Sequence, residues 1–140
     1  MCFEKCLKKL YKDEYAFGAT VLRYAFGILF LLVAVKKLRM GIPEFAQGLM
    51  AGESLVAQEI PDVLLLAYGY VLPLAELAAG VMLLLNKYTK EAYALIALIY
   101  LTFVFGQMYN GNTVKVGMEY FPSLIALAML VVFEKKSKNL

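Results

Sequence analysis

No histidine and no tryptophan occur in this sequence, and cysteine occurs only as Cys2 and Cys6. Haem held by paired histidines and ordinary histidine metal sites are thereby excluded, and two thiolates fall short of the four that an iron–sulfur cluster takes. No metal and no intrinsic cofactor is expected, so any electron carrier is organic or sits on a partner. Cys2 and Cys6 stand at i and i+4 on a segment expected to face a reducing compartment, where a disulfide is not expected. Charge is scarce as well. Of the 140 residues 18% are charged and 62% apolar, whereas a soluble domain carries about a quarter and about half. A chain this short cannot bury that much apolar surface in a water-soluble core, so the lipid bilayer is its solvent. The net charge of +3, with lysines gathered at the termini and beside apolar runs, suits anionic head groups and not nucleic acid.

What is present is a set of long apolar runs. About 20 residues of helix cross a hydrocarbon core of roughly 30 Å. Residues 16–35 qualify, with Arg23 as the single charge, and so do residues 63–85, with Glu76 as the single charge. Residues 92–110 form a third span, whose apolar part stops near Phe105 before a polar stretch around Gln107 and Asn110. Residues 116–133 form a fourth, with Glu119 near its start and Pro122 in its first turn, where a missing N–H is tolerated. The expected fold is all-α, a single domain over 1–140 built as a membrane-embedded antiparallel four-helix bundle, with an N-terminal interfacial amphipathic helix over 1–15. In that helix Phe3, Cys6, Leu7, Leu10 and Tyr11 share one face, and Lys5, Lys8, Lys9 and Lys12 cover the other.

Lysine placement orients the bundle. One side holds Lys5, Lys8, Lys9, Lys12, Lys87, Lys90, Lys135, Lys136 and Lys138, and the other only Lys36, Lys37, Arg39 and Lys115. The positive-inside rule puts both termini in the cytoplasm and the 41–62 loop outside, where it is expected to lie as short amphipathic helices. The first apolar run exceeds a signal h-region and ends in lysines, so it is read as retained. A prokaryotic cytoplasmic membrane is the expected location.

Ionisable groups inside spans face the bundle interior and mark pairs or sites. Counted at 1.5 Å per residue from the cytoplasmic ends of the spans, Arg23 lies about 11 Å deep and Glu76 about 15 Å deep. They are expected to meet, either as a lock between the first two helices or as a pocket for a lipophilic head group or a proton path. Lys37 is expected near the outer interface, apart from Arg23. Tyr100 in the third span and Gln107 at its end are further ligand-binding candidates, and Tyr109 and Asn110 join Gln107 in a polar cluster that a turn explains equally well.

The run Leu22-Arg23-Tyr24-Ala25-Phe26-Gly27-Ile28-Leu29-Phe30, continuing to Lys37-Leu38, resembles the first-helix pattern of the DoxX family. Leu72-Pro73, Glu76 and Gly80 are similar to the same family's second-helix pattern. Ala34 and Asn86 stand where that family commonly has glycine. The resemblance implies four helices over nearly the whole chain and a redox setting, since DoxX-like proteins include a subunit of thiosulfate oxidation that passes electrons to quinone and others tied to thiol and oxidative-stress complexes. Arg23, Lys37 and Glu76 match the family's polar positions. The leading expectation is a membrane subunit of a respiratory or redox complex that binds quinone and receives electrons from a sulfur-compound or thiol oxidoreductase, its partner being another subunit or a second copy. The alternatives are a non-enzymatic scaffold and a carrier of a small lipophile.

Overall fold

Helix α1 (Cys2–Met40) runs without a break from the amphipathic N-terminal stretch through the first apolar run. The computed structural model describes residues 2–52 and 54–139, apart from the side chains at positions 2, 3, 6, 7, 8, 10 and 11. The thiols of Cys2 and Cys6, the face formed by Phe3, Leu7, Leu10 and Tyr11, and Glu53 of the loop therefore lie outside the described residues.

After α1 come two short helices, α2 (Ile42–Met50) and α3 (Leu55–Glu59), then α4 (Asp62–Leu84) and α5 (Thr89–Tyr109). The last span begins with one turn, α6 (Thr113–Lys115), widens into a π-helical turn over Val116–Tyr120, and continues as α7 (Phe121–Asn139). Four stretches are long and apolar enough to cross a bilayer: Lys12–Met40, Asp62–Leu84, Thr89–Tyr109 and Thr113–Asn139. Helices are the outcome that lipid demands, because every N–H and C=O must be satisfied within its own segment. The protein is thus an all-helical membrane bundle, with no strand among the described residues.

Helix α1 packs along both α4 and α7, while α4 also carries α2 and α5. Small residues set the closest contacts. A Cβ at Gly80 would stand 2.8 Å from the Leu31 nitrogen and 3.0 Å from the Gly27 oxygen, so α1 and α4 approach backbone to backbone. Near the other end of α4, a Cβ at Gly69 would fall 2.6 Å from the Ala46 Cα, which fixes how deeply α2 sits. The buried core runs through Phe26, Phe30, Leu72, Leu83, Ile96, Tyr100 and Leu130. Phe17, Leu32, Val63, Val71, Leu98 and Ile125 are exposed on the outer faces, as lipid-facing side chains should be.

The turns follow from backbone chemistry. Asn86 adopts φ +54°, a conformation asparagine tolerates, and α4 stops there: the Asn86 N–H donates to the Leu83 carbonyl and the Lys87 N–H to the Met82 carbonyl. Gly111, at φ +76°, ends α5 with the same pair of bonds, to Met108 and from Asn112 to Gln107. Gly41, at φ +100°, releases the chain from α1 into α2. The expected place of Pro122 in a first turn is corrected, because helical structure already starts at Thr113. Proline inside a helix lacks an N–H and crowds the carbonyl four residues back. The chain widens into the π turn immediately before it, and the Ser123 hydroxyl donates to the Glu119 carbonyl at 2.8 Å.

Candidate functional site

Two spans each supply a buried or half-buried ion, and the structure joins Lys37 with Glu76. The Lys37 ammonium donates to both carboxylate oxygens, at 2.6 and 2.7 Å. Glu76 is 1% exposed and Lys37 15%. The ammonium also lies 5.0 Å from the Phe45 ring centre and 5.7 Å from that of Phe103, so α2 and α5 both contribute aromatic faces to it.

The expected meeting of Arg23 with Glu76 does not occur. Arg23 donates through Nη1 to the Asn86 Oδ1 at 2.9 Å, its guanidinium rests 5.4 Å from the Tyr24 ring centre, and its Nε is buried without a hydrogen-bond partner. Counting depth from residue 16 misplaced it. Helix α1 begins well before the membrane run, and its antiparallel register with α4 sets Arg23 level with the α4–α5 turn and Lys37 level with Glu76. The chain folds back after Gly41, and α2 covers Lys37. The separation of Lys37 from Arg23 stands as expected.

A cavity opens on each side of the Lys37–Glu76 pair. The first, about 320 Å³, lies beneath α2 and α3, with Lys37, Tyr68, Thr102, Gln107 and Asn110 among its polar lining and Phe45, Leu65, Leu72 and Phe103 among its apolar walls. The Thr102 hydroxyl donates to the Ile99 carbonyl at 2.7 Å, so the 2.7 Å contact with Tyr68 has the Tyr68 hydroxyl as donor. The second cavity, about 370 Å³, lies between α1, α4, α5 and the π turn, and Glu76, Tyr100, Glu119, Tyr120 and Ser123 line it together with Phe30 and Phe103. Phe103 and Tyr120 belong to both walls.

Tyr100 is buried at the centre of an aromatic cluster, 5.6 Å from Phe30 and 6.3 Å from both Phe103 and Tyr120, ring centre to ring centre. Gln107 reaches the first cavity while its Oε1 accepts from the Asn112 side chain at 2.8 Å. Its neighbours tie down the loop: Asn110 Oδ1 accepts the Val56 N–H at 3.1 Å, and the Tyr109 hydroxyl donates to the Glu59 carboxylate. Tyr68 and Tyr120 were not singled out by sequence, and Glu119 was noted only as a charge near the start of the fourth span. The acidic and hydroxyl positions were visible, but which helix faces converge depends on packing. Among the described residues, no group of three or more metal-ligating His, Cys, Asp or Glu side chains gathers.

A family model for the methylamine utilisation protein MauE matches residues 16–117. The chain belongs to the MauE family. The matched stretch holds Arg23, Lys37, Glu76, Tyr100 and Gln107, and both DoxX-like motifs, and it stops short of Glu119 and Tyr120. The MauE family is a multi-span membrane family, which agrees with the four helices. Searches of curated proteins and of solved structures return no match.

Proposed function

We propose that this chain is the membrane subunit of a redox system and holds the head group of a quinone in the cavity beneath α2. The observation that carries the reading is the position of the Lys37 ammonium, at the wall of a cavity with both aromatic and polar lining and backed by a buried carboxylate. A quinone ring is flat and apolar, with a carbonyl at each end, and negative charge grows on those oxygens as electrons arrive. Lys37 stabilises that charge, Gln107 and Asn110 offer amide donors across the cavity, and Glu76 is placed to carry a proton behind Lys37.

Electrons come from a partner subunit, because this sequence holds no haem or cluster ligands. The DoxX resemblance favours a sulfur-compound or thiol oxidoreductase as that donor. The family's name ties it to methylamine utilisation, and where a primary amine is converted to an aldehyde and ammonia its carbon gives up two electrons that an acceptor takes. The lysine excess supports a cytoplasmic placement of both termini and of the α4–α5 turn, in a prokaryotic cytoplasmic membrane.

The test is binding of a short-chain ubiquinone to the purified protein in lipid discs. Gln107→Leu and the charge-free pair Lys37→Met with Glu76→Gln are expected to weaken binding by roughly tenfold or more, with helix content unchanged. Equal binding by both variants overturns the reading and leaves the ion pair as a lock between α1 and α4.

A further inference from the structure

The cavity between α1, α4, α5 and the π turn has a chemistry opposite to that of the one beneath α2. Its lining includes two carboxylates, Glu76 and Glu119, and no lysine or arginine. Lys37, the cation paired with Glu76, faces the other cavity. Four aromatic rings surround the remaining space: Phe30, Tyr100, Phe103 and Tyr120, with Phe103 and Tyr120 5.7 Å apart and Phe30 edge-on to Tyr100 at 5.6 Å. We infer that this cavity is a binding site for a small organic ammonium ion.

Three features select that ligand class. Lys37 already neutralises Glu76, so Glu119 leaves the site with one uncompensated negative charge, suited to a monocation. Aromatic rings in the wall attract a cation through their quadrupole, the more so where water is excluded. Leu29 and Val33 complete the lining with apolar surface, which receives alkyl groups. The volume, about 370 Å³, suits a ligand of a few heavy atoms with room for water.

The π turn builds the site. It presents Glu119, Tyr120 and, one turn on, Ser123 to the same space. Such turns recur where a helix has been adapted to a ligand. Glu119 also lines the open depression formed by Gly111–Lys115, so its carboxylate stands at the entrance from the loop end of the bundle while Glu76 lies at the bottom. Lys115 borders that depression and does not line the cavity. An entering ammonium meets Glu119 first and then the rings, with the Lys37-paired Glu76 carboxylate in the wall beyond.

The experiment uses the full chain in detergent, with tetramethylammonium and n-propylammonium as probes and n-propanol as the neutral counterpart. Binding is read by calorimetry, and by the change in tyrosine emission, to which Tyr100 and Tyr120 in the wall contribute among the ten tyrosines of a chain without tryptophan. Saturable binding of both ammonium ions, without binding of the alcohol, is expected. Glu119→Gln is expected to weaken it roughly tenfold, the effect of losing about 1.4 kcal/mol, and Tyr120→Leu to weaken it similarly with helix content intact. Binding of n-propanol as tight as that of n-propylammonium, or unchanged ammonium affinity in Glu119→Gln, overturns the inference. Gln107→Leu lines only the other cavity, so it leaves ammonium binding unchanged and keeps this test separate from the quinone reading.

Discussion

Lys37 and Glu76, 39 residues apart in sequence, form a two-pronged ion pair between α1 and α4, with Glu76 almost wholly shielded and the ammonium capped by the rings of Phe45 and Phe103. Removing either partner alone strands the other charge in a low-dielectric interior, whereas removing both strands none. Glu76→Ala is therefore expected to cost about 3–5 kcal/mol, and the double variant Lys37→Met with Glu76→Gln distinctly less. Unfolding of each variant by mixed-micelle titration checks this. Additive losses in the double variant would show that the two charges are not coupled.

Gly80 sits where the backbones of α1 and α4 touch, so any side chain there meets main-chain atoms that cannot turn aside. Gly80→Val is expected to lower stability by about 1–3 kcal/mol or more through overpacking. Gly48, in α2, has open space at its Cβ position, and Gly48→Ala is expected to be neutral or slightly stabilising. Thermal unfolding followed by circular dichroism compares them; equal melting points would mean that α1 and α4 are not in backbone contact.

Asn86 both closes α4 in a left-handed conformation and accepts the Arg23 hydrogen bond. Asn86→Gly keeps the backbone and loses the acceptor, while Asn86→Ala loses both. The alanine variant is expected to be less stable than the glycine variant by about 1–2 kcal/mol, measured by the same micelle titration. Alanine matching glycine would remove the backbone role assigned to this residue.

Much of the architecture was legible in the residues. The apolar runs around Arg23, Glu76 and Tyr100 marked three spans plainly, because the need to satisfy backbone groups in lipid ties apolar length to helix. Asn86 was legible as a stop, since few residue types accept a positive φ. The partner of Glu76 was not. Arg23 and Lys37 are both cations on α1, and the choice between them depends on the register of α1 against α4, which Gly27 and Gly80 set by backbone contact. Reading depth from the start of an apolar run assumed that all helices begin at one level, and α1 does not. The role of Gln107, Tyr109 and Asn110 was legible only as a choice between site and turn; packing made Tyr109 and Asn110 staples for the loop and turned Gln107 towards a cavity.

Sequence by itself determined the solvent, the number of spans and the exclusion of histidine-held metals, because these depend on composition and on the fixed rise of a helix. Only the tertiary structure decided that Lys37 pairs with Glu76, that α2 folds back over that pair, and that a π turn brings Glu119 and Tyr120 to a cavity beside it. Those outcomes depend on the angular register of one helix against the next, which arises from contacts between residues far apart in the chain and leaves no periodic mark in the sequence of either helix.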